Sequence, residues 1–270
     1  MIAPPQTLPD LLRRELAADA ARPLLTFYDD ATGERVELSV ATFENWVAKT
    51  ANLLADGLVA EPGSRLGLLL PLHWQAAVWC VAAWSAGLVV DLADPLGADV
   101  VVTGPDDLAH AAAAGVASGA EVVALSLRPL GAPFADPPPA GILDYGLEVA
   151  AFGDRFQPLA PPSATEPALV GEDGLALTQR EIAGVDLGGL ARGDRVLTAT
   201  SYATWPALRA GLVRPLGAGA SLVLCRNLDA GSLVDRLTAE RVTVVTGVTP
   251  PADWPADVPG APPRFVPLSF

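Results

Sequence analysis

Lysine is almost absent from this chain: Lys49 is the only one in 270 residues, and the formal net charge is −14. A surface this acidic repels phosphate backbones and anionic lipid headgroups, which excludes nucleic acid and membranes as general partners. Histidine and cysteine are scarce too; His73, His110, Cys80 and Cys225 are the whole set. Four soft ligands this far apart make no zinc site without carboxylate help, so no metal is expected. Cys80 falls in an apolar helical run and Cys225 at the end of an apolar strand. Both read as small buried hydrophobes in a reducing compartment, although sequence alone leaves a disulfide between them open. Residues 1–10 hold no basic segment leading into an apolar core, so no secretion signal is expected. The longest apolar stretch, 76–90, is interrupted by Ser85 and Gly87 and is shorter than a membrane span. A cytoplasmic location follows as the expectation. A Gly-x-Ser-x-Gly nucleophile elbow is missing as well.

What the chain does have is apolar residues, 51% of the total, enough for a substantial core. Leu8, Leu11, Leu12 and Leu16 share a helical stripe. Strands are predicted at 24–28 and 35–38, and Ser39 is placed to cap a helix that runs to Gly57. The turn Pro62-Gly63-Ser64 leads into a strand at 65–70, a helix at 74–86 and a strand at 88–92. Uninterrupted apolar strands around a helix are the mark of a parallel sheet covered on both faces. Further strands are expected at 100–103 and 121–125, with an Ala-rich helix between them.

Composition shifts at residue 131. Residues 131–167, with Pro137-Pro138-Pro139 and Pro161-Pro162, read as a linker or surface excursion, with 141–149 as a possible short strand and helix inside it. After it, 168–170 and 175–177 flank Gly171-Glu172-Asp173-Gly174 as a hairpin. Thr178-Gln179-Arg180-Glu181 has capping-box spacing. Strands at 196–200, 221–224 and 242–246 alternate with helices at 205–212 and 229–240. The organisation expected is a first α/β subdomain over 1–130, a linker, a second α/β subdomain over 168–251 and an irregular tail over 252–270. Both subdomains are βαβ-like with mostly parallel sheets, and a weak internal repeat links Gly63-Ser64-Arg65-Leu66 with Gly193-Asp194-Arg195-Val196.

Six segments, in order, resemble the adenylate-forming (AMP-binding) superfamily of acyl-CoA synthetases, luciferases and adenylation domains. Residues 39–57 are similar to its early helix, and Pro62 to Pro71 to its Gly-Asp-Arg-Val strand. The segment Ala83-Trp84-Ser85-Ala86-Gly87 through Asp94-Pro95 is similar to its Ala-Gly-Ala…Asp-Pro segment. Leu177-Thr178-Gln179-Arg180-Glu181 resembles Leu-Thr-His-Arg-Asn, 216–229 resembles Leu-Leu-Ala-Gly-Ala with its strand, and 241–251 resembles the strand ending in Gly-Val-Pro-Pro. The truncated pattern is also similar to that of a family of short actinobacterial proteins, and the Ala-rich, Lys-poor composition suits a high-GC genome.

The resemblance implies the fold of that superfamily's N-terminal portion, and it also shows what is missing. The superfamily cradles ATP phosphates with Thr-Ser-Gly-Thr-Thr-Gly-x-Pro-Lys-Gly, placed between the strands found here at 168 and 175. In this chain Gly171, Glu172, Asp173 and Gly174 stand there, with no hydroxyl, no lysine and two carboxylates. A like charge a few ångströms from polyphosphate costs on the order of 1 kcal/mol even in water. The Tyr-Gly-x-Thr-Glu segment, the ribose-binding Asp and a catalytic-lysine domain are not found, and Lys49 cannot replace that lysine by position. No catalytic residue and no cofactor are therefore assigned. A remnant acyl pocket, if kept, would use Tyr202, Trp205, Thr249 and Pro250, with packing aromatics as the plainer alternative. His73, Asp91 and Asp94 lie where βαβ proteins bind ligands, but helix capping explains them equally. The expectation is a non-catalytic ligand-binding or protein-interaction module, with an unknown protein or small ligand as partner and a homo-oligomer as an option. The alternatives are an acyl-adenylate-forming ligase completed by a second polypeptide, and a purely structural partner.

Overall fold

The computed structural model describes residues 6–249, 263–266 and 268. The chain opens with α1 (Leu8–Ala18), started by a capping box between Thr7 and Asp10, with Leu8, Leu11 and Leu12 buried along one stripe. The antiparallel pair β1 (Pro23–Asp29) and β2 (Glu34–Ser39) follows. Ser39 accepts from Thr42 N to start α2 (Val40–Asn52), which runs on into a π-helical turn, Leu53–Gly57. Then come β3 (Arg65–Leu69), α3 (Trp74–Ser85), β4 (Val89–Asp91), β5 (Val100–Thr103), α4 (Leu108–Ser118) and β6 (Glu121–Ala124). Beyond these lie β7 (Leu143–Asp144), α5 (Tyr145–Glu148), the hairpin β8 (Pro167–Val170) and β9 (Ala176–Thr178), and α6 (Gln179–Ala183). The last part holds β10 (Arg195–Thr198), α7 (Trp205–Leu208), α8 (Arg214–Ala218), β11 (Ser221–Arg226), α9 (Leu233–Ala239), β12 (Val244–Thr246) and β13 (Arg264–Val266).

Two mostly parallel sheets result, as the apolar, two-sided strands imply. One has the order β7-β6-β5-β3-β4-β8-β9 and the other β13-β12-β10-β11-β1-β2. Among the described residues, antiparallel pairing occurs only in the edge hairpins β8–β9 and β1–β2. Every residue of α3 from Trp74 to Trp84 is buried. The helix packs on β1 of one sheet and β4 of the other, so it fills the space between them. That position explains why its apolar residues run all round instead of forming a stripe.

The sheets exchange strands across the boundaries expected at 130 and 168. The first hairpin, β1–β2, joins the sheet of β10 to β13, while β8–β9 extends the sheet of β3 to β7. Side chains tie the exchange together. The Trp84 indole N–H donates to Ala168 O at 2.8 Å, and Gln179 Nε2 donates to Trp84 O at 3.2 Å. The buried carboxylate of Glu15 accepts from Arg14 (3.0 Å), Arg22 (3.1 Å) and Arg192 (2.7 Å), joining α1 to the loop before β10.

Residues 131–167 are held against the core, and the short strand and helix expected inside 141–149 are β7 and α5. Within them β7 pairs with β6. Tyr145 and Val149 are buried, and the Tyr145 hydroxyl lies 2.7 Å from Thr50 Oγ1. Lys49 donates to Phe152 O (2.6 Å) and pairs with Asp154 (2.8 Å), and Asn52 donates to Gly153 O and Arg155 O. Within the tail expected to be irregular, the described residues 264–266 form a strand: β13 pairs in parallel with β12, Val244 opposite Arg264.

Candidate functional site

The site forms where the carboxyl ends of β4 and β8 face the start of α7, the helix that follows β10 of the other sheet. Open α/β sheets present ligand crevices at such strand ends. Its first component is the β8–β9 hairpin. Gly171 N donates to Leu175 O (2.8 Å) and Leu175 N to Glu172 O (3.1 Å), closing one 3-10 turn over Glu172–Gly174. Asp173 sits in the left-handed region at φ 57°, which aspartate tolerates better than most residues. Glu172, Asp173 and Gly174 are exposed, and Gly171 is buried. The two turn hydrogen bonds commit the amides of the flanking residues Gly171 and Leu175. The chain then enters α6 through the expected capping box, Glu181 N donating to Thr178 Oγ1 at 3.3 Å and Thr178 N to Glu181 Oε2 at 2.8 Å.

The second component is the segment after β10. Thr204 precedes α7, with Trp205 and Pro206 in its first turn. Proline near a helix start matches the unpaired N–H groups there. The helix widens into a π turn at Arg209–Val213, a feature enriched at functional sites. Gly211 lets this turn pack closely: a Cβ there would lie 3.1 Å from the Tyr202 ring and 3.2 Å from Thr198. The Tyr202 hydroxyl donates to Gly211 O at 3.1 Å, and burial holds that phenol far above its ordinary pKa. Burial pushes the Arg209 guanidinium down, and the nearby charge of Arg214 adds to this.

Between the two components lies a cavity of about 500 Å³. Leu92, Leu175, Glu172 and Asp173 line it from the sheet side. Thr204, Trp205, Pro206 and Arg209 line it from the α7 side, with Leu268 completing the wall. Of the residues expected in a remnant acyl pocket, Trp205 lines this cavity. Tyr202 is spent on packing, Thr249 is exposed and outside the lining, and Pro250 lies outside the described residues. The hairpin residues and Trp205 therefore share one cavity, which the sequence did not reveal. Nearby, the ends of β10 and β12 meet: the two strands are parallel neighbours, and Thr200 Oγ1 donates to Gly247 O at 3.1 Å.

The other polar candidates have structural roles. His73 is fully buried as the N-cap of α3; Nδ1 accepts from Gln75 N at 3.2 Å, and its ring meets Phe27 edge-on at 4.5 Å. Asp91 pairs with Arg65 and accepts from the amides of Ala93 and Asp94, both at 2.9 Å. Asp94 caps the turn at Pro95–Gly97. His110 is exposed on α4. Cys80 and Cys225 are buried free thiols, Cys225 pushed up to about 11 chiefly by burial. Among the described residues no group of three His, Cys, Asp or Glu side chains could hold a metal, and no helix is long and apolar enough to cross a membrane.

This arrangement is the fold of the N-terminal part of acyl-CoA synthetases. The acyl-CoA synthetase of Brucella canis superposes with a TM-score of 0.73 at 19% identity, over 89% of this chain and 47% of that one. An anthranilate CoA ligase, AuaEII, solved with anthranoyl-AMP, gives 0.72 at 15% identity, over 89% and 49%. The N-terminal domain of FACL13 from Mycobacterium tuberculosis gives 0.69 at 17% identity, over 96% and 71%. The chain thus spans about half the length of the first two synthetases. No family model matches the sequence. A TIGR03089 family protein of Mycobacterium tuberculosis is 43% identical over 232 residues, covering 85% of this chain and 93% of the relative, and the chain belongs to that family.

Proposed function

We propose that this chain is a non-catalytic relative of the adenylate-forming enzymes that has kept their N-terminal fold and a ligand cavity but not their phosphate site. It serves as a ligand-binding or protein-interaction module, and the two buried free thiols suit a reducing, cytoplasmic setting. The observation that carries this reading is the hairpin of Gly171, Glu172, Asp173 and Gly174. Where the superfamily gathers amides, hydroxyls and a lysine around polyphosphate, this chain has a tight turn with two exposed carboxylates. Adenylyl transfer depends on positioning and charge stabilisation, so a repulsive turn removes the group on which both depend.

Calorimetry tests this directly. ATP with Mg²⁺ is expected to bind no better than about millimolar, because each carboxylate opposes the phosphates by on the order of 1 kcal/mol and the single guanidinium of Arg209 in the lining does not offset both. Micromolar binding that is lost on mutation of the hairpin would sink the proposal. Such a result would favour the alternative, an acyl-adenylate-forming ligase completed by another polypeptide.

A further inference from the structure

The cavity beside the hairpin reverses the charge preference expected of a phosphate site, and the geometry points to a ligand: a small organic ammonium ion with an aromatic or alkyl body. This inference rests on the proposal that the hairpin no longer serves nucleotide. About 500 Å³ is the size of a small-molecule pocket. Leu92, Leu175 and Pro206 supply apolar wall, and the half-buried Trp205 supplies an aromatic surface of the kind that attracts organic cations.

Two carboxylates, Glu172 and Asp173, border this space against one guanidinium, Arg209, so the lining carries net negative charge. The carboxylates are not on a loose loop. The amide bonds between Gly171 and Leu175 and between Leu175 and Glu172 fix the turn, and Asp173 is held at φ 57°. The net charge of −14 adds a long-range field that draws cations in and keeps anions out. Acyl carboxylates and nucleotides are disfavoured by the same groups that favour an amine.

The test is calorimetric titration of the full chain with 2-phenylethylammonium and, in parallel, with 3-phenylpropionate, which has a similar apolar body and the opposite charge. The amine is expected to bind at least about tenfold more tightly, and more weakly as salt is raised. The Glu172→Gln, Asp173→Asn double variant should erase roughly fivefold or more of that preference. Both positions are exposed, and asparagine accepts the left-handed conformation at 173, so an unchanged urea midpoint will show that the variant is folded. Equal or tighter binding of the carboxylate, amine binding unchanged in the double variant, or no amine binding at millimolar concentration would each overturn the inference. The ATP–Mg²⁺ titration described above decides the underlying reading separately, since a chain that binds neither amine nor ATP loses only this inference.

Discussion

Replacing Gly67 with alanine is expected to destabilise the protein by about 3 kcal/mol or more, among the largest effects available to a single methyl group. Gly67 lies inside β3, between Asp91 of β4 and Val101 of β5, so its backbone is fixed on both sides. A Cβ at this position would lie 1.9 Å from Pro95 O and 2.5 Å from Pro95 C and Cα. Those are backbone atoms in a turn pinned by Asp91 and Asp94, which accept from the amides of residues 93, 94 and 97. Neither side can yield without breaking ladder hydrogen bonds or the caps. Gly153→Ala is the control, because the nearest atoms to a Cβ there are 4.0 Å away. It should change stability by no more than about 0.5 kcal/mol. Urea midpoints of the two variants check both numbers, and a Gly67→Ala variant as stable as the control would contradict the packing described for β3.

The second large effect is a loss of stability on mild acidification, traceable to one side chain. Burial, helped by the charge of Arg226 and opposed by Asp29, pushes His73 from 6.5 down to about 3. The folded protein therefore keeps this imidazole neutral while the unfolded chain protonates it, so stability is lost as pH falls below 6.5 and continues to fall toward 3. Between pH 7.5 and 5 the loss from His73 alone is about 2 kcal/mol. Glu15, Asp30, Asp194 and Glu240, whose pKa values are lowered in the fold, lose their stabilisation only as pH drops through and below the ordinary carboxylate range. Glu34 and Glu44, raised chiefly by burial, act in the opposite direction near that range. His73→Asn isolates the effect, because asparagine can still cap α3 but does not titrate. The difference in unfolding free energy between pH 7.5 and 5 should shrink by about 2 kcal/mol in the variant. An identical difference in both proteins would mean that His73 is protonated in the fold.

Local chemistry made much of this architecture legible in the sequence. The capping box at Thr178 and Glu181, the Ser39 cap and the β8–β9 turn are all short-range arrangements, and each formed where its residues predict. The parallel strands were legible because a strand covered on both faces must be apolar throughout. Partner choice between distant segments was not. Nothing within β1 specifies pairing with β11 nearly two hundred residues away, so the strand exchange between sheets appears only in three dimensions. The short strand and helix at 141–149 were legible, but the burial of Tyr145 and Val149 was masked by the prolines around them, although a spacing of four places both on one helical face. At the site, the acidic turn of Gly171, Glu172, Asp173 and Gly174 was legible from residue types alone. Its meeting with Trp205 across the cavity was not, because that contact depends on how the two sheets sit together.

Pyrophosphate exchange into ATP, assayed with a panel of carboxylic acids and the wild-type chain alone, tests the central claim most directly. Exchange requires a bound ATP, an activated carboxylate and a reversible adenylate in one site. On the proposed reading, in which the acidic turn at Glu172 and Asp173 replaces a phosphate-binding loop, the expected rate is indistinguishable from a blank for every acid in the panel. Robust, acid-dependent exchange would contradict the account and make this chain a working adenylating enzyme.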